Sequence, residues 1–83
     1  MSREEIEKTV IDAVADELGV NADELSADTN LENDMGADSL DAVEIIISLE
    51  HEFGVKFPDR DIFNTDLHTI AEITTFVENH LNK

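Results

Sequence analysis

The apolar residues of this sequence recur three and four positions apart and nowhere alternate, which restricts the chain to helices. Ser2 followed by Glu5 is a capping box, in which hydroxyl and carboxylate satisfy free backbone donors at a helix start. Behind it Ile6, Val10, Ala13, Val14 and Leu18 form one stripe, and Gly19 can take the left-handed position that ends the helix. Thr69 with Glu72 is a second box, ahead of Ile70, Ile73, Phe76, Val77 and Leu81 on one face. Between them a further helix is predicted from Ser39, with Asp38 as its cap and Asp41 in its first turn, to Glu52 or Phe53 before Gly54. Pro58 to Phe63 can make one short helical turn, whereas Val55, Lys56 and Phe57 are too few to stand as a strand. The predicted fold is all-α: a small four-helix bundle of three main helices and one short helix, a single domain over residues 1–83.

From Val20 to Asp38 no period is sustained, which leaves a long loop between helices one and two. Structureless loops of this length are uncommon in compact domains, so Val20, Leu25, Leu31 and Met35 are expected to pin it to the core, with a short turn at Asn21 to Glu24. At 83 residues the core barely outweighs the entropy lost on folding, yet 41% hydrophobic content is enough to form one. The formal charge of −16, from 21 Asp and Glu against 5 Lys and Arg, repels phosphate backbones and anionic lipid heads and attracts basic protein patches. Nucleic acid and membrane are therefore not expected partners, and the chain is expected to be monomeric. With no cysteine, any thiol chemistry has to be brought in. The longest apolar run is Ile45 to Ile47 and charge begins at Arg3, so neither a signal peptide nor a membrane span is expected and the default location is cytoplasmic.

Helix two carries two apolar stripes. At about 100° per residue, Ala42, Ile45, Ile46, Leu49 and Phe53 fall in one core-facing arc. Leu40, Val43 and Ile47 form another, about 140° away and too far round the cylinder for the same contact. Either the long loop covers this second stripe or it is a docking strip edged by carboxylates, where charges steer and apolar residues hold.

Ser39 by spacing alone reads as an ordinary first-turn serine. A nucleophilic role needs a base, and no His lies within ten residues on either side; His51, His68 and His80 are scattered. Asn30, Glu32, Asp34 and Asp41 have calcium-loop spacing, but Met35 stands where such a loop needs glycine and Asp41 where it needs glutamate. No metal site is assigned from the sequence.

Gly36-Ala37-Asp38-Ser39-Leu40-Asp41, then Val43 and Glu44, and a helix ending Glu52-Phe53-Gly54-Val55 with Pro58 beyond, resembles the acyl carrier proteins over nearly the whole chain. The resemblance implies that a phosphopantetheinyl transferase modifies Ser39 with phosphopantetheine from coenzyme A, and that acyl intermediates travel on the arm as thioesters. It implies a non-catalytic carrier, most simply in fatty acid biosynthesis. Its partners would be acyl-transfer, ketosynthase, reductase or dehydratase enzymes with basic docking patches. Asp38, Asp41, Glu44 and Glu50 would be the acidic docking residues, with Leu40, Val43, Ile47 and Phe57 as apolar contacts. Ile46, Leu49, Ile62, Ile70 and Ile73 would line a space for the acyl chain, each buried methylene contributing about 0.8 kcal/mol.

Two departures from the family bear on partner choice. His51 stands where the best-known carriers have an acid, and Asp59 to Thr69 differs from their usual acidic run. Polyketide, aminoacyl or lipid-precursor cargo would use the same serine, and an unmodified acidic adaptor would use the same docking helix.

Overall fold

The computed structural model describes residues 2–62 and 67–82. Helix α1 spans Arg3–Leu18, α2 Ser39–Phe53, α3 Asp59–Ile62 and α4 Ile70–Leu81, with a 3-10 turn at Ala22–Glu24 after α1. The bundle of three long helices and one short helix matches the helical periodicity, and among the described residues there is no strand. Phe63, the expected end of the short turn, and the side chain of Ile62 lie outside the described residues.

Each long helix begins on a reciprocal cap that the sequence spells out. Ser2 Oγ accepts from the Glu5 N–H at 3.3 Å while the Glu5 carboxylate accepts from the Ser2 N–H at 3.0 Å. That backbone hydrogen bond, with the Ser2 hydroxyl, holds the Glu5 carboxyl below its ordinary range. Gly54 closes α2 with φ of 64°, a left-handed conformation that glycine adopts without the steric cost of a Cβ, and donates its N–H to the Glu50 carbonyl.

Helix α1 is the shared wall: α2 and α4 both pack on it, and their backbones make no close approach to each other. Val10 and Val14 of α1, Ile45 and Leu49 of α2, and Ile70 and Val77 of α4 are fully buried. Each such side chain contributes about 1.5–3 kcal/mol of transfer free energy. The loop after α1 is pinned as its apolar residues predicted, with Leu25 and Leu31 buried and Val20 and Met35 partly buried.

Backbone hydrogen bonds tie the same loop to the head of α4, which no periodicity announces. The Leu31 N–H donates to the His68 carbonyl at 2.8 Å, and an isolated bridge pairs Asn30 with Thr69. In return Ile70 and Ala71 donate to the carbonyls of Thr29 and Ala27 at 3.3 and 2.9 Å. Two of the amides that a helix start leaves without intrahelical acceptors are thus satisfied by the loop.

Candidate functional site

Leu31 and Glu32 fold the chain back on itself just ahead of α2: their carbonyls accept from Ala37 and Gly36 at 2.9 and 3.1 Å. Gly36 takes φ of 69° in this turn. Asp38 then caps the helix, its Oδ1 accepting from the Asp41 N–H at 2.9 Å while Asp41 Oδ2 accepts from the Asp38 N–H at 3.2 Å. Ser39 follows as the first helical residue and is exposed.

This cap uses only part of the helix start. The Asp41 N–H goes to the Asp38 side chain and the Ala42 N–H to the Asp38 carbonyl at 3.1 Å. Among the described residues, neither the Ser39 hydroxyl nor the amides of Ser39 and Leu40 have a protein partner. Two open amides at a helix N-terminus favour an anion by about 0.3–1 kcal/mol, and the carboxylates of Asp38 and Asp41 oppose it. A phosphodiester on Ser39 would find two open donors and no enclosing wall here, with the Asp38 and Asp41 carboxylates nearby.

The second stripe of α2 is uncovered. Leu40 is 64% exposed and Ile47 40%, while Val43 is half-buried and Glu44 exposed. The loop does not lie over it, so the sandwiched arrangement fails. The opposite stripe is core, with Ile45, Ile46 and Leu49 at 3% exposure or less.

Phe57 is a correction to the docking face. It is 3% exposed, its ring 4.8 Å from both Phe76 and His80 of α4, so burial against those rings removes it from any partner's reach. Glu50 is drawn inward with it: Glu50 Oε2 accepts from the Phe57 N–H at 2.7 Å, and the side chain is half-buried. The predicted acyl liners Ile46, Leu49, Ile70 and Ile73 are packed into the continuous core. Neither of two surface clefts, of about 460 and 260 Å³, is lined by any of them.

Glu17, on the last turn of α1, was missed by sequence reasoning. Desolvation first, and then the charge of Glu44, hold its carboxyl above the ordinary range, with Asp16 and Asp41 adding to it. Helical spacing gives no signal for a contact between two helices. Asn30 and Asp34, part of the calcium-like spacing, serve as acceptors for backbone amides of their own turn. Among the described residues no group of three His, Cys, Asp or Glu side chains converges to hold a metal ion.

An exposed serine at the open start of a helix, beside an apolar strip edged by acids, is an arrangement that suits a carrier domain. The family described as "Phosphopantetheine attachment site" matches residues 8–77. The chain is 39% identical over 77 residues to the acyl carrier protein of Porphyromonas gingivalis, covering 93% of this chain and 96% of that one. It is 34% identical over 82 residues to the acyl carrier protein of Lactobacillus johnsonii, covering 99% and 100%. For the acyl carrier protein of Prochlorococcus marinus the identity is 38% over 78 residues, covering 94% and 95%. The chain belongs to the acyl carrier proteins, the family that bears a covalently attached phosphopantetheine.

Proposed function

We propose that Ser39 carries the phosphopantetheine and that the chain shuttles acyl intermediates on it for fatty acid biosynthesis in the cytoplasm, as a monomer with no catalysis of its own. The observation that carries this reading is the exposed, unengaged Ser39 hydroxyl at the first position of α2. When attached, the arm supplies the thiol that the cysteine-free chain lacks. The chain's own residues present the arm and are recognised. Asp38 and Asp41 fix the helix start, leaving two amides open to the phosphodiester. Leu40, Val43 and Ile47 offer an apolar strip, and Asp38, Asp41 and Glu44 give it an acidic rim.

A transferase, and then ketosynthase, reductase, dehydratase and acyl-transfer enzymes, would dock there through basic patches around an apolar pocket. Charge would set the encounter rate, and burial of Leu40 and Ile47 the residence time. Cargo would enter between α2 and α4, where side chains alone fill the space, by displacing Ile46, Leu49, Ile70 and Ile73.

Incubating the apo-protein with coenzyme A and a promiscuous phosphopantetheinyl transferase should add one arm by intact mass, and Ser39→Ala should add none. An unmodified wild type, the outcome expected of a plain acidic adaptor, or an arm on the alanine variant overturns the reading.

A further inference from the structure

The turn that presents Ser39 is strapped to the residue just ahead of the α4 cap. The His68 carbonyl, just before α4, takes the Leu31 N–H at 2.8 Å, and the Leu31 carbonyl takes the Ala37 N–H at 2.9 Å. Glu32 completes a parallel path: its carbonyl takes the Gly36 N–H at 3.1 Å, and its Oε1 lies 3.3 Å from His68 Nδ1. Ala37 and Gly36 stand immediately ahead of Asp38 and Ser39. Two short routes therefore run from one histidine to the turn ahead of Ser39, one through backbone and one through a side-chain pair.

We propose that His68 and Glu32 are positioning residues for Ser39, the imidazole holding the Glu32 end of the turn so that Ser39 is offered in the orientation a transferase needs. This rests on Ser39 being the attachment residue. Two carboxylates lie at His68 among the described residues: Glu32 from the loop, whose Oε1 is beside the imidazole Nδ1, and Glu72 from α4, whose Oε1 takes the His68 backbone N–H at 3.1 Å. Asp34 lies on the same turn with its Oδ2 engaged by the Asn30 N–H. The pair is solvent-exposed, so it biases the turn by about two- to fivefold.

The test uses the full chain as His68→Gln, Glu32→Gln and His68→Lys, the last placing a cation opposite Glu32. At pH 6, His68→Gln and Glu32→Gln should raise the transferase KM for the carrier about two- to fivefold with kcat unchanged. They should speed amide exchange of Ala37 by a similar factor while Val14 in the core is unaffected. His68→Lys should restore both. A KM for the glutamine variants equal to wild type, or no recovery in His68→Lys, overturns the proposal. A wild type that accepts no arm would instead overturn the role of Ser39, with Ala37 exchange still reporting whether the strap exists.

Discussion

Helices α2 and α4 begin on the same device and use it to opposite ends. Both start on a reciprocal cap, Asp38 with Asp41 in α2 and Thr69 with Glu72 in α4. In α4 the cap is closed over: Glu72 Oε1 takes the N–H groups of His68 and Thr69 at 3.1 and 2.9 Å, and the next two amides go to the loop. In α2 the equivalent two amides, of Ser39 and Leu40, meet no protein acceptor among the described residues. A helix start with every donor satisfied is architecture, and one with donors left over is a place where an anion can be attached and tolerated.

The sharpest way to break this comparison is to delete the same amide at the second position of each helix. Ala71→Pro removes the donor to Ala27 and leaves a carbonyl unpaired, whereas Leu40→Pro removes an amide that has no protein acceptor. Both prolines strain the preceding residue alike, so in urea denaturation the α4 variant should be the less stable by about 1–3 kcal/mol. Equal losses would mean the two starts are energetically alike.

Cap removal comes next. Thr69→Ala should cost about 1 kcal/mol, and Asp38→Ala less, because it also removes one charge from a chain at −16. Thermal midpoints in low salt would sharpen the difference, and raising the salt should narrow it.

Acid titration probes the two regions with opposite signs. The Glu72 carboxyl is held low, chiefly by the backbone N–H groups of Thr69 and His68, so its contribution is complete above the ordinary carboxylate pKa and lost as pH falls through the lowered one. Glu17, beside α2, is held high, so it opposes folding at neutral pH and that opposition is relieved as acidification protonates it. Glu72→Gln should therefore flatten the loss of stability below about pH 4.5. Glu17→Gln should raise the neutral-pH midpoint and remove the gain that acidification otherwise brings at this site, the opposite of the change at Glu72.

The smallest effect on stability is expected at the uncovered strip. Ile47→Ala should move the midpoint by no more than about 0.5 kcal/mol, while calorimetric titration with a partner enzyme shows weakened binding. A large loss of stability would place Ile47 in the core after all.

Much of this was legible in the sequence because it is local. Ser2 with Glu5, Asp38 with Asp41, and Thr69 with Glu72 are three residues apart, so their geometry follows once the chain is helical. The two stripes of α2 followed from the helical period, and the exposure of Leu40 and Ile47 keeps the second one free. What was not legible depends on which surfaces meet. Phe57 sits in a segment too short to show a period, and its burial is decided by Phe76 and His80 from another helix. The neighbourhood of Glu17 and Glu44, and the loop carbonyls that cap α4, likewise exist only once distant elements are packed.

The Glu50 bond to the Phe57 amide has a consequence for anyone testing α2 as the proposed docking helix by mutation. Neutralising each acid along α2 in turn would score Glu50 as a contact even if no enzyme ever touches it, since losing that carboxylate unclasps the strand of chain that seats an aromatic trio. Only a paired readout, affinity alongside the fluorescence-silent packing of Phe57 seen by ring-proton NMR, separates a lost handshake from a slipped hinge.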